Sequence, residues 1–376
     1  MNIPGIRKAV LKMRPYEPGK TIEEVRRDLG LKHIIKLGSN ENPYGPFPES
    51  IEAMKQEMSH GNRYPDIAFE EIKGLLAQKH GLKQENIAIS HGAEGMLQSA
   101  AKTFIEEEDQ VIIPMVTYKL YEELSKLMGA KIVRTPMKEN TIDLLAVAKA
   151  VTEKTKLIWL CNPNNPTGTH FDLKDFSSLL DDLPEKTWVI LDEAYAEFCP
   201  QDKLPNRAKL INEGKNIISV RTFSKAYGLA GLRLGYGMAR PDVIRAIDTV
   251  SEPFNANRLA IAAGIAVLRD GQKSYTEALE AITRDRKRME EALRNMECSV
   301  TPSSTNFVFF ETPYDCSYLS QQLLKRGIIV RPCNIWGCDN AIRVTVGTSE
   351  EVDEFLKAIE DILKSALCSK ETQREV

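Results

Sequence analysis

The sequence has no long apolar run. None approaches the roughly 20 residues that span a membrane, so no membrane partner is expected. The opening stretch, MNIPGIRKAVLKMRP, is broken by charge and proline and lacks the apolar core of a signal peptide. Charge of one sign is missing too: 50 Lys+Arg against 53 Asp+Glu leave a net charge of −3. A nucleic-acid surface usually carries a basic excess or stripe, so no nucleic-acid partner is expected either. Cysteine is sparse, with seven scattered over 376 residues. An odd, dispersed set argues against a disulfide framework and for a reducing cytoplasm. Five histidines are dispersed without a His-x-x-x-His spacing, and Cys333 and Cys338 have no second Cys or His pair nearby. No metal site is expected, because zinc needs about four ligands. Low-complexity linkers and repeats of roughly 20–50 residues are absent as well.

What is present suits a large folded core. The chain is 42% hydrophobic and 27% charged, which excludes overall disorder. Short, β-branched apolar runs predict strands at 110–114, 131–135, 156–161, 188–192, 216–222 and 233–239. Amphipathic stretches between them predict helices at 93–105, 119–128, 144–151 and 173–183. Strand–helix–strand repetition implies an α/β fold with a mostly parallel sheet. After about Asp270 the pattern changes. A long charged helix fits 273–296, followed by short strands at 306–311, 328–331 and 341–346. Thr348 and Glu351 then form a capping box for a last helix. This part reads as a smaller α+β domain, and the polar tail 369–376 is expected to fray.

The segments with chemical potential stand at predicted strand ends. In RTFSKAYGLAGLRLGY, Lys225 follows an apolar strand beside the hydroxyls of Thr222 and Ser224, and Arg233 follows past a glycine-rich turn. Two hydroxyls, a guanidinium and backbone N–H groups make a phosphate cradle. A lone lysine in a turn is usually solvated, but a lysine inside such a cradle suits a Schiff base with an aldehyde cofactor. WVILDEAYAEF puts Asp192 and Tyr195 at another strand end, where open parallel sheets bind ligands. An acid there suits a metal, a helix cap or a cationic ring nitrogen. CNPNNPTGT holds Asn165 in a proline-rich turn, which is either a plain loop or a scaffold aiming Asn165 at a ligand. In HGAEGMLQSA, Gly92 opens a helix whose Ala93 and Glu94 N–H groups face any anion. Tyr118 ends a further strand, where core packing is the commoner role of a tyrosine.

These motifs, in this order, resemble the fold type I aminotransferases, which use pyridoxal 5'-phosphate (PLP). The likeness spans essentially the whole chain. KLGSNENPYGP (36–46), RYPD (63–66), SEPFNANRLA (251–260), PSSTNFVFF (302–310) and GIIVRP (327–332) favour the branch that transaminates histidinol phosphate. The resemblance implies an aspartate aminotransferase-like large PLP-binding domain, 41–270, and a small α+β domain built from both chain ends, 1–40 and 271–376. It implies Lys225 as the cofactor lysine and proton shuttle, Asp192 on the pyridine nitrogen, and Tyr195 and Asn165 on the ring 3'-oxygen. Tyr118 would stack on the ring. The phosphate would rest on Ala93, Glu94, Thr222, Ser224 and Arg233, and on Tyr64 from a second subunit. Arg343, Arg331, Tyr16 and Asn40 would bind substrate.

The implied partners are a small amino donor and a 2-oxo acid, in a cytoplasmic homodimer with shared active sites. The implied reaction is L-histidinol phosphate with 2-oxoglutarate, giving imidazole-acetol phosphate and L-glutamate in histidine biosynthesis. An aromatic amino acid aminotransferase is the alternative, with an amino-acid-phosphate decarboxylase or a regulatory PLP-binding module further off. Three departures bear on substrate. Glu94 stands where aspartate is usual, Met115 and Val116 make their loop more apolar, and Phe254 stands where some members have a phosphate-binding tyrosine.

Overall fold

The computed structural model describes residues 4–13 and 19–372. Its largest element is a sheet of seven strands: β1 (Ile87–His91), β2 (Gln110–Pro114), β3 (Lys131–Thr135), β4 (Thr155–Cys161), β5 (Trp188–Asp192), β6 (Ile217–Thr222) and β7 (Leu234–Met238). The spatial order is β1-β7-β6-β5-β4-β2-β3. Only β7 runs antiparallel to its neighbours; the pairings from β6 to β3 are parallel.

The apolar runs of these strands follow from burial on both faces. Successive residues alternate between two cores. Ile158, Leu160, Val189 and Leu191 pack on one face against the helices Glu70–His80, Leu173–Asp181 and Arg258–Arg269. Leu157, Trp159, Ile190 and Val220 pack on the other against Gly92–Phe104, Leu120–Met128 and Pro241–Val250. Asp172 and Asn257 cap their helices by accepting backbone N–H bonds. The helices at 241–250 and 258–269 were absent from the sequence expectation. The latter, RLAIAAGIAVLR, has almost no polar residues between its ends to mark a period.

A third core lies under a four-stranded antiparallel sheet ordered Ser299–Thr301, Phe307–Glu311, Ala341–Thr345 and Arg331–Pro332. The long helix Gln272–Asn295 buries Ile282, Met289 and Leu293 there, with Phe355 and Ile359 of the last helix. The capping box forms as expected: Thr348 N donates to Glu351 Oε2 (2.9 Å) and Glu351 N to Thr348 Oγ1 (3.3 Å). That helix reaches Thr372, so it continues into the segment expected to fray. The N-terminal strand Ile35–Lys36 pairs in parallel with Ile328–Ile329, and Ile35 and Leu37 join the same core. Residues 35–37 therefore share one core with the C-terminal sheet and helices.

Strand alternation has a polar consequence at the ends of β5 and β6. Asp192 and Glu193 point to opposite sides, as do Arg221 and Thr222. Glu193 Oε2 accepts from Ser219 Oγ (2.5 Å), Arg207 Nε (3.0 Å) and Arg221 Nε (3.4 Å), and Arg221 Nη1 donates to Glu197 (2.8 Å). Burial pushes the Glu193 carboxyl up, but the Arg221 and Arg207 guanidiniums outweigh it and hold it below the usual range. Removing one member of such a buried set strands the others. Arg221→Leu should destabilise the protein by about 3–5 kcal/mol, read from urea unfolding against the wild type.

Candidate active site

The ends of β1, β2, β4, β5 and β6 open into one pocket of about 370 Å³. Lys225 lies at its floor, three residues beyond β6. Its Nζ donates to the Ser39 carbonyl (3.1 Å) and sits 5.8 Å from the Tyr195 ring centre. Burial, followed by the nearby Arg343 and Arg233 guanidiniums, lowers its proton affinity to about 8. The neutral amine, the nucleophilic form, is thus accessible near neutral pH.

Asp192 closes β5 and is buried. Its Oδ2 accepts from the Tyr121 hydroxyl (2.7 Å) and its Oδ1 from the Ala194 N–H (3.0 Å). Burial still raises its carboxyl to about 6. A cation beside it would be strongly favoured. Tyr195 is held neutral by burial, and its hydroxyl accepts from Asn40 Nδ2 (2.9 Å). Its own proton is therefore available as a donor.

One corner is built for an anion. Gly92, at φ +69°, starts the helix whose first N–H groups belong to Ala93 and Glu94. Ser224 Oγ accepts from Thr222 Oγ1 (2.9 Å) and Arg233 Nη1 (3.4 Å). Arg233 itself has φ +57°. A Cβ on Gly92 would meet Arg233 Nη2 at 2.8 Å, and a Cβ on Gly235 would meet Gly92 C at 2.4 Å. Only glycine permits this close approach of backbone and guanidinium. Glu94, the unusual residue here, spans the corner: Tyr118 OH donates to its Oε1 (2.7 Å) and Arg233 Nη2 to its Oε2 (3.3 Å).

The opposite wall comes from the smaller unit. Arg343, buried in the strand Ala341–Thr345, donates from Nη1 to Asn165 Oδ1 (2.5 Å) and from Nη2 to the Gly38 carbonyl (2.8 Å). Because guanidinium can only donate, this contact fixes the Asn165 carbonyl and leaves Nδ2 as its donor. The Phe307 and Trp336 rings lie 5.4 and 5.7 Å from the guanidinium carbon. Trp336 is pinned by a bond from Nε1 to the Thr117 carbonyl (2.7 Å). Arg331 lines the same wall.

The pocket thus collects Asn40, Ala93, Glu94, Tyr118, Asn165, Asp192, Tyr195, Thr222, Ser224, Lys225, Arg233, Arg331 and Arg343. Tyr64 is elsewhere, 75% exposed and stacked on Phe254 with ring centres 4.3 Å apart. Tyr16 lies outside the described residues. His91 lines a separate cavity beside Ser90 and Gln98. No cluster of His, Cys, Asp or Glu among the described residues could hold a metal. Sequence reasoning missed Tyr121 and Trp336. The spacing of Tyr118 and Tyr121, three apart across the start of a helix, was the available signal for the first; nothing marked the second.

The donor set fits a phosphorylated, ring-shaped aldehyde: an anion corner, a buried carboxylate for a ring cation, and an amine of lowered proton affinity between them. The comparisons agree. The family model described as Aminotransferase class I and II matches residues 32–359. A protein named histidinol-phosphate aminotransferase from Moorella thermoacetica is 39% identical, covering 96% of this chain and 94% of that protein. One of the same name from Symbiobacterium thermophilum is also 39% identical, covering 96% and 99%. The crystal structure of histidinol-phosphate aminotransferase from Sinorhizobium meliloti, in complex with pyridoxal-5'-phosphate, superposes with a TM-score of 0.90 at 30% identity, covering 97% and 99%. Aspartate aminotransferase from Thermus thermophilus shares the fold at 21% identity, with a TM-score of 0.82.

The lowered proton affinity of Lys225 has a kinetic consequence. Capture of PLP by the apoprotein needs the neutral amine. Its rate should rise about tenfold per pH unit up to about 8 and level off above. Stopped-flow absorbance from pH 6 to 10, referenced to a small amine, reads this; a plateau beginning only near the ordinary lysine value would contradict it.

Proposed function

The chain belongs to the class I and II aminotransferases, and on that premise we propose that it moves the amino group of L-histidinol phosphate to 2-oxoglutarate, giving imidazole-acetol phosphate and L-glutamate. It is a PLP-dependent transaminase with the fold type I architecture. The donor reading rests on relatives of that name at 39% identity over nearly the full chain. In the pocket the supporting observation is the pair Arg331 and Arg343 across from Lys225. One substrate must carry a phosphate and the other carboxylates, and fixed guanidiniums bind both.

Each side chain then has a task. PLP, when bound, supplies the carbonyl that takes up the nitrogen and a ring that accepts electrons. Ala93 and Glu94 N–H groups, Thr222, Ser224 and Arg233 would hold its phosphate. Asp192 would face the ring nitrogen, while Tyr195 and Asn165 would donate to the 3'-oxygen. Tyr118 would lie on the ring face. Lys225 Nζ would carry the cofactor and, once released, take and return the substrate proton; a value of about 8 suits that double use. Arg343, with Arg331, Asn40 and Tyr16, would fix the substrate anion and so orient the bond to be broken.

The division into 1–40, 41–270 and 271–376 follows the same reading, with a small domain made from both ends. A homodimer sharing its sites is supported by Tyr64 and Phe254, a stacked aromatic pair left on the surface. The cytoplasm is the compartment we propose, on the cysteine composition; no helix of the described residues is long and apolar enough to cross a membrane.

A second reading, an aromatic amino acid donor, is favoured by Ile335 and Trp336 in the pocket wall. Half-reactions of the PLP-loaded enzyme separate the two. Histidinol phosphate should bleach the visible absorbance of the bound cofactor faster than phenylalanine or tyrosine at equal concentration; the reverse order would transfer the assignment.

Sharing of sites has its own test. Mixing Tyr64→Ala with Lys225→Ala subunits should restore activity, because one site of each mixed dimer would be intact. No recovery, with mixed dimers confirmed by mass, would place Tyr64 outside the partner's site.

A further inference from the structure

Asp192 does not stand alone. Its Oδ2 accepts a 2.7 Å hydrogen bond from Tyr121, a residue outside the cofactor pocket. Tyr121 belongs to the first turn of the helix Leu120–Met128 and has no solvent exposure. Its ring stacks on Trp159 of β4, with centres 5.1 Å apart and planes 5° from parallel. Trp159 Nε1 donates to Ser125 Oγ (3.1 Å), and Ser125 donates back to the Tyr121 carbonyl (2.7 Å). The Tyr118 ring meets Tyr121 edge-on at 5.6 Å. The Tyr121 ring is thus held between the Trp159 and Tyr118 rings, with its hydroxyl on Asp192 and the Cys161 thiol beside it.

A carboxylate buried this deeply is a strong base. Each donor it accepts makes it weaker. Burial keeps the Tyr121 hydroxyl neutral, so it remains a donor throughout the working pH range. If Asp192 and a ring nitrogen share one proton, the weaker the carboxylate, the more that proton stays on the ring. A protonated ring is the better electron acceptor. We propose that Tyr121 is a positioning residue that acts through Asp192, orienting its carboxylate and lowering its basicity so that the shared proton stays on the cofactor nitrogen. This rests on the proposed pairing of Asp192 with that nitrogen.

The test uses holoenzyme loaded with PLP labelled with ¹⁵N in the ring. Four proteins are compared: wild type, Tyr121→Phe, Asp192→Asn and the double variant. Tyr121→Phe removes only the hydroxyl and keeps the stacked ring. Its ¹⁵N shift should move toward that of neutral pyridine, and the donor half-reaction should slow on the order of tenfold, as for a lost bond to a charged group. The donor's apparent affinity should stay near wild type, since Arg331 and Arg343 are untouched. In the Asp192→Asn background the same substitution should have little further effect on either readout.

An unchanged shift in Tyr121→Phe, with a changed shift in Asp192→Asn, overturns the proposal and leaves the Asp192 pairing intact. An equal rate loss in both backgrounds also overturns it, because it assigns Tyr121 to packing alone. An unchanged shift in Asp192→Asn removes the pairing itself. If Tyr121→Phe yields no folded holoenzyme, Tyr121→Met, which fills the space without a donor, carries the same comparison.

Discussion

The site depends on the opposite facing of neighbouring residues at two strand ends. Asp192 and Glu193 cannot point the same way, nor can Arg221 and Thr222. On one side of the sheet, Glu193, Arg221, Arg207 and Ser219 form a buried polar cluster between β5 and β6. On the other side, Asp192 and Thr222 enter the pocket. The cluster cannot slip by one residue without burying unpaired charge. The relative heights of the acid, the hydroxyls and, three residues on, Lys225 are therefore fixed by groups that never touch a ligand.

The pocket's electrostatics follow from the same burial. Asp192 is pushed up to about 6 and Lys225 down to about 8, each toward its neutral form. Both shifts mark charges that lack full compensation from the protein. A ligand with a cationic ring and an anionic tail supplies the missing partners, so cofactor binding and charge compensation are one event. Glu94 fits this account. Its carboxylate links Tyr118 to Arg233, so the tyrosine proposed to lie on the ring and the arginine proposed to hold the phosphate are positioned by one side chain that an aspartate is too short to replace in the same way.

Much of this was readable from residues in order. The parallel strands announced themselves as continuous apolar runs; Asp192 ends one of the strands, and Gly92, Lys225 and Asn165 follow strand ends within four residues. What stayed hidden has physical reasons. The helix 258–269 has almost no polar residues between its ends to set a period, because its middle is buried against Ile72, Phe223 and Leu234. Tyr121 reads as a core aromatic, and by burial it is one; its function lies in a single hydroxyl oxygen meeting a strand 71 positions later. Trp336 sits in a short turn whose partner, the Thr117 carbonyl, is 219 positions away. Pairings of that range leave no local pattern.

Arg343 shows why both chain ends are needed. It belongs to the small antiparallel sheet, yet its two terminal nitrogens bond Gly38, from the N-terminal segment, and Asn165, from the loop after β4. Three parts of the chain converge on one guanidinium. The bond to Asn165 also sets which end of that amide is a donor. A change at Arg343 thus reaches Asn165 as well as the wall that Arg343 itself lines. With Arg343 proposed to hold the substrate anion and Asn165 the cofactor oxygen, anchoring and tuning would not be separable modules, because one planar group with only donors serves both.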